Sequence, residues 1–273
     1  MDTHCHLHDR EFFSAEQAEE MLKRAHEKGV EKVICIGTSH EDSMAARDFT
    51  ARHENVYWTY GIHPEFAGEE GVADISWRRG VRSLARREVA PAARGDGPAG
   101  RAPERDISDR TPSPVAIGEV GLDYHYPGYD RAAQIKLFEQ MLQLAADNDL
   151  PVSFHVREAF DDFFPVVANF PKIRGVVHSF SDNKKNLRRI LTETGFYVGV
   201  NGLATYSTLP TPPIERILLE TDAPFLTPKP FRGIINEPAY IREIAAWLSE
   251  KLAIEFEIIE RETTKNAKKL FSI

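Results

Sequence analysis

The chain opens on His4-Cys5-His6, and four more potential metal ligands follow singly, each at the end of a short apolar run. They are Glu119 after Val115-Ala116-Ile117-Gly118, His155 after Pro151-Val152-Ser153-Phe154, His178 after Gly175-Val176-Val177, and Asp222 after Ile217-Leu218-Leu219-Glu220-Thr221. Side chains alternate faces along a strand, so His4 and His6 project to one side and Cys5 to the other. Four imidazoles and two carboxylates suit zinc, manganese, iron or, less comfortably, magnesium better than a thiophilic ion. Six ligands exceed what one catalytic ion takes while keeping a position open, so two divalent ions are the economical reading. On that reading His4, His6 and Asp222 hold one ion, His155 and His178 hold the other, and the two oxygens of Glu119 bridge them. A water activated between the ions is the nucleophile, and Asp222, beside it, accepts its proton and later delivers it to a leaving group. Any one of these histidines alone would more often be a packing residue. Their recurrence at successive strand ends is what points to a site.

The elements that must position them are legible as apolar runs of about five residues alternating with longer stretches of helical period. Strands are expected near 2–6, 32–37, 56–61, 115–119, 151–155, 174–178, 196–200 and 216–221, with helices over 14–28, 130–148, 182–194 and 237–251. Eight strands interleaved with helices predict a TIM-type (β/α)8 barrel spanning 1–273 as one domain, whose working face is the ring of loops at the C-terminal strand ends. An open doubly wound sheet would not bring the ends of the first, fourth, fifth, sixth and eighth strands to one centre. The segment 86–114, rich in Ala, Gly, Pro and Arg, has few large apolar residues and is expected to be a flexible insertion before the fourth strand. The short, proline-bound stretch 208–213 leaves little room for a full helix between the last two strands.

Substrate contacts are sought next to the ligands. His63, in Tyr60-Gly61-Ile62-His63-Pro64, falls just past the third strand, where it either touches substrate or shapes a turn. Arg157 follows His155 by two residues, and Arg232 follows the last strand; both are candidates for phosphate contacts. Lys184, Lys185, Arg188 and Arg189 read more readily as a solvated helix face. Tyr124, Tyr126, Phe180 and Tyr206 are equally readable as base-stacking or packing residues, and His8, His26, His40, His53 and His125 receive no role.

Composition narrows the class. The net charge of −8 over 273 residues provides no global basic field for nucleic acid, so a polyanion must be held by local cations or by metal ions. Two cysteines, Cys5 and Cys35, are too few for a disulfide framework and fit a reducing, cytoplasmic location. No basic segment followed by an apolar stretch opens the chain, and no apolar run is long enough for a membrane span. Neither membrane insertion nor a protein partner is expected.

Taken together, Asp2-Thr3-His4-Cys5-His6-Leu7, Gly61-Ile62-His63-Pro64, Ile117-Gly118-Glu119-Val120-Gly121-Leu122-Asp123-Tyr124, His178-Ser179-Phe180-Ser181 and Leu218-Leu219-Glu220-Thr221-Asp222-Ala223-Pro224 resemble the TatD family of metal-dependent deoxyribonucleases in the amidohydrolase superfamily. The resemblance continues through Pro230-Phe231-Arg232-Gly233 and Thr264-Lys265-Asn266-Ala267. It implies a TIM barrel with a two-metal centre at His4, His6, Glu119, His155, His178 and Asp222. It also implies 3′–5′ exonuclease action on single-stranded DNA, with magnesium often supporting turnover. The chain departs from the family pattern at His8, at Asp182, in the inserted 86–114 and in the shortened 208–213, which touches substrate shape rather than the ligand set. The alternative within the superfamily is an ester or amide hydrolase such as a D-aminoacyl-tRNA deacylase.

Overall fold

The computed structural model describes residues 1–69 and 112–273. Most of the expected insertion at 86–114 therefore lies outside the described residues. Eight parallel strands run in sequence order: β1 (Asp2–Cys5), β2 (Val33–Cys35), β3 (Val56–Tyr60), β4 (Ala116–Asp123), β5 (Val152–Arg157), β6 (Gly175–Val177), β7 (Tyr197–Val200) and β8 (Ile217–Leu219). Both faces of such a sheet are covered, which is why the strands read as continuous apolar runs rather than as alternating ones. The ring closes between its first and last members. Asp222 N donates to the His4 carbonyl at 2.8 Å, and His6 N donates to the Ala223 carbonyl at 2.8 Å. Buried Asp2 reinforces the seam, accepting from Thr221 N at 3.0 Å and from Thr221 Oγ1 at 2.6 Å. The fold is the predicted TIM barrel, and this seam sets Asp222 beside His4 and His6.

The described helices lie outside the barrel: α1 (Ala15–Glu27), α2 (His40–Thr50), α3 (Arg131–Asn148), α4 (Phe160–Ala168), α5 (Lys184–Arg189), α6 (Ile241–Leu252) and α7 (Phe256–Phe271). Local chemistry fixes their ends. Ser14 caps α1 by accepting from Gln17 N at 3.2 Å while Gln17 Oε1 accepts from Ser14 N at 2.8 Å, so two orphan N–H groups are satisfied reciprocally. Ala18, Met21, Leu22 and Ala25 then form the buried stripe that the helical period requires. Between β7 and β8 the chain makes only short 3-10 turns, Gly202–Tyr206 and Ile214–Arg216, as the proline-bound segment predicted. Alternation along β5 divides labour between neighbours. Phe154 faces outward into an aromatic cluster, 5.2 Å from Phe163 and 4.7 Å from Phe196 between ring centroids, and this packing fixes His155 inward.

Two strands run past the sequence expectation, while β2 and β8 stop two residues short of it. β4 continues four residues past Glu119 to Asp123, and β5 continues past His155 to Arg157, because the two strands stay paired from Gly121↔His155 to Asp123↔Arg157. Glu119 is therefore inside its strand rather than at its end. Gln134 of α3 ties off the extension, accepting from Asp123 N and donating to the Asp123 carbonyl, each at 2.8 Å.

Candidate metal centre

All six expected ligands meet at the C-terminal mouth of the barrel. His4 Nε2 lies 3.4 Å from Glu119 Oε2 and 3.6 Å from Asp222 Oδ1, and His6 Nε2 lies 3.6 Å from the same Asp222 oxygen. His178 Nε2 is 3.8 Å from Glu119 Oε1 and 3.9 Å from Asp222 Oδ2, while His155 Nδ1 contacts Glu119 Oε1 at 2.6 Å. Donor atoms converge in three sets: His4 with Glu119 and His178, His4 with His6 and Asp222, and His63 with Asp123 and His155. The first two sets share His4, and Glu119 touches members of all three, as a central carboxylate would. The third set brings in His63, whose Nε2 stands 3.9 Å from Glu119 Oε1 and whose ring packs edge-on against His155.

The donor set fits a divalent cation on an observation independent of its composition. Both ring nitrogens of His4 are buried without a hydrogen-bond partner. Buried polar atoms are nearly always satisfied, so an orphaned nitrogen between two carboxylates marks a place for an ion. Burial and the His178 imidazole, stacked 3.5 Å away between ring centroids, hold His4 below the usual histidine range and therefore neutral, the form that ligates. The carboxylates stay ionised. Burial pushes Glu119 and Asp222 up, but the surrounding imidazoles, His178 foremost, outweigh it and hold both below their ordinary values. His178 itself is lowered by burial and raised more strongly by Glu220, Asp222 and Glu119, to about 10, so a cation bound there would displace its proton.

Sequence reasoning missed two carboxylates that orient the rings. Asp123 Oδ2 lies 2.9 Å from His155 Nε2, on the far edge of the ring from Glu119. Asp123 follows Glu119 by four residues along one strand, so alternation already placed both on one face. Glu220 Oε1 lies 3.0 Å from His178 Nδ1, and Glu220 is almost wholly buried. Carboxylates behind ligating histidines fix ring orientation and tautomer.

The expected substrate contacts divide. His63 joins the cluster, although its Nδ1 also accepts from Glu65 N at 3.3 Å. Arg157 stands at the end of β5 over the exposed Tyr126 ring, 5.3 Å from its centroid. Arg232 is exposed in the loop after β8, where it and Lys229 both lie 5.2 Å from the Tyr206 centroid; none of its described contacts reaches the ligands. Tyr124 donates to Asp162 at 2.8 Å and stacks on Tyr129, and Phe180 is in the core, so both are packing residues. His8, given no role, is buried with Nε2 2.9 Å from Asp42 Oδ1.

Comparison with known proteins decides the family. The profile of the TatD-related DNases matches residues 1–272. The chain is a metal-dependent hydrolase of the TatD family. This TatD-family chain is 30% identical over 281 residues to YabD of Bacillus subtilis (strain 168), an uncharacterised metal-dependent hydrolase, covering 100% of this chain and 98% of that protein. It is 31% identical over 278 residues to the 3′-5′ ssDNA/RNA exonuclease TatD of Pantoea ananatis (strain LMG 20103), covering 95% of each. The crystal structure of YJJV, a TatD homologue from Escherichia coli K12, superposes with a TM-score of 0.81 at 27% identity, covering 100% of this TatD-family chain and 97% of that one. Among the described residues no helix is long and apolar enough to cross a membrane.

Proposed function

We propose that this chain is a two-metal phosphodiesterase that shortens single-stranded DNA from its 3′ end. The observation that carries the reading is the meeting of His4, His6, Glu119, His155, His178 and Asp222 at one mouth of the barrel, with His4 buried and unpartnered between two carboxylates. The activity named for the Pantoea ananatis relative supports the substrate class. Bound divalent ions, magnesium in turnover with zinc or manganese as substitutes, supply Lewis-acid polarisation of the phosphoryl group and a water acidic enough to attack near neutral pH.

The chain's own residues do the rest. His4, His6 and Asp222 would hold one ion and His155 and His178 the other, with the Glu119 carboxylate between the two groups. Asp123 and Glu220 keep the His155 and His178 rings turned toward the centre. Asp222, whose carboxylate faces His4, His6 and His178, would accept a proton on one oxygen and return it to the leaving oxygen. Arg157 offsets phosphate charge beside the cluster, His63 contacts the scissile group, and Arg232 receives the strand further out.

A 5′-labelled single-stranded oligonucleotide, incubated with protein that has been chelated and then resupplied with magnesium, manganese or zinc, tests this. Stepwise shortening from the 3′ end is the expected result. An intact oligonucleotide in the presence of protein with bound metal would contradict it.

A further inference from the structure

Two large aromatic rings stand exposed at the edge of the ligand cluster. Phe12, in the loop after β1, is 44% exposed, and Phe225, in the loop after β8, is 46% exposed. Their centroids are 5.2 Å apart with ring planes at 82°, an edge-to-face pair. Phe225 also packs edge-on against the His6 ring at 6.3 Å. Its backbone is pinned on both sides: Phe225 N donates to the Asp222 carbonyl at 2.7 Å, and Asn236 Nδ2 donates to the Phe225 carbonyl at 2.6 Å. Ile234 and Ile235, in the same loop, are also more than half exposed.

Single exposed hydrophobic residues need no explanation, but a group of them at the rim of a cleft marks a surface that binds something. Its position limits the occupant. Because Phe225 touches a ligand histidine, anything resting on the pair lies against the cluster, and a permanent protein partner there would obstruct the opening. The occupant is then a part of the substrate with a flat, apolar face, and in a single-stranded nucleic acid that part is the base, which stacks on aromatic side chains without regard to sequence. We infer that Phe12 and Phe225 form a base-binding step that takes the nucleobase of the nucleotide whose phosphate lies at the cluster.

This inference rests on the nuclease reading, and the test separates the two. Wild type, Phe225→Ala, Phe12→Ala and Phe225→Trp are compared on a single-stranded oligonucleotide and on the same oligonucleotide with abasic sites in its last positions. Turnover is followed together with binding, the latter by anisotropy of a fluorescein label at the 5′ end. The step predicts that wild type binds the abasic oligonucleotide about tenfold more weakly, that Phe225→Ala loses that preference, and that Phe225→Trp keeps it. The Phe12→Ala protein shows the same loss in smaller measure. Equal preference for bases in wild type and Phe225→Ala overturns the step, whether or not the strand is cut. Undiminished base preference without cleavage by wild type would sink the nuclease reading and leave the base-binding step standing.

Discussion

Glu220 Oε1 sits 3.0 Å from His178 Nδ1, at the opposite edge of the ring from the nitrogen that faces Glu119. The same oxygen accepts from Ser179 N at 2.6 Å, and Asn201 Nδ2 lies 3.5 Å away. A carboxylate held this firmly sets its charge against one edge of the imidazole and leaves the other edge facing the cluster. Replacing Glu220 by Gln removes the charge at constant shape. Metal affinity should fall about 10- to 100-fold with the fold intact, as read by calorimetric titration of the chelated protein and by circular dichroism. Unchanged affinity would show that Glu220 only packs.

Gly199 makes that arrangement possible, because a Cβ on this residue would lie 2.5 Å from Glu220 Oε2. The carboxylate would have to move. Gly199→Ala should therefore reproduce the loss of metal affinity and also cost about 1–3 kcal/mol of stability, the usual penalty for crowding a packed interior. Chemical denaturation and metal titration on one preparation check both parts.

The pH dependence of stability has an identifiable contributor away from the cluster. Asp162 receives Arg131 through Nε at 2.6 Å and through Nη2, and accepts from Tyr124 Oη at 2.8 Å. The Arg131 guanidinium holds its carboxyl below the usual range, against a smaller upward push from burial. A depressed carboxylate contributes stability above its unfolded pKa of about 3.9 and loses it as pH falls through the folded value. Asp162→Asn should thus be less stable than wild type at pH 7 by up to about 1 kcal/mol, with the difference closing below pH 4. Melting curves across that range decide it, and a constant difference would remove the ionic contribution.

Metal removal should lower stability as well as activity. An ion bound to the folded chain alone stabilises it by about 2.7 kcal/mol at a hundredfold excess over its Kd. For a barrel of this size that corresponds to about 5–10 °C in Tm. Chelation should lower the Tm by that amount and added metal should restore it, whereas an unchanged Tm would mean that His4 is satisfied in some other way.

The convergence of the six candidate ligands was legible in the sequence because strand alternation and the barrel period act locally. His4 and His6 do share a face, and each lies 3.6 Å from the same Asp222 oxygen. What the sequence concealed depended on pairing between distant segments. Nothing in Val120-Gly121-Leu122-Asp123 distinguishes a continuing strand from the start of a loop until β5 is laid beside it, so Asp123 was passed over. Glu220, two residues before Asp222, reads from its own run as one more strand residue, and its role appears only once β6 brings His178 against it. Phe12 and Phe225 lie more than two hundred residues apart and meet only because the seam between β1 and β8 closes the ring. Arg232 was correctly placed on the last loop, but its side chain turns to Tyr206, a direction that loop sequence does not encode.

At Asp222 the proposed metal site and the proposed proton transfer coincide. The decisive measurement is cleavage of a 5′-labelled single-stranded oligonucleotide by wild type and by Asp222→Asn, each chelated and then resupplied with magnesium, manganese or zinc, with bound metal quantified in both. Wild type should shorten the strand from its 3′ end only when metal is returned, and Asp222→Asn, still folded, should be slower by on the order of a thousandfold. Equal cleavage by the two proteins, or cleavage that survives chelation, would contradict the assignment of this cluster as the hydrolytic centre.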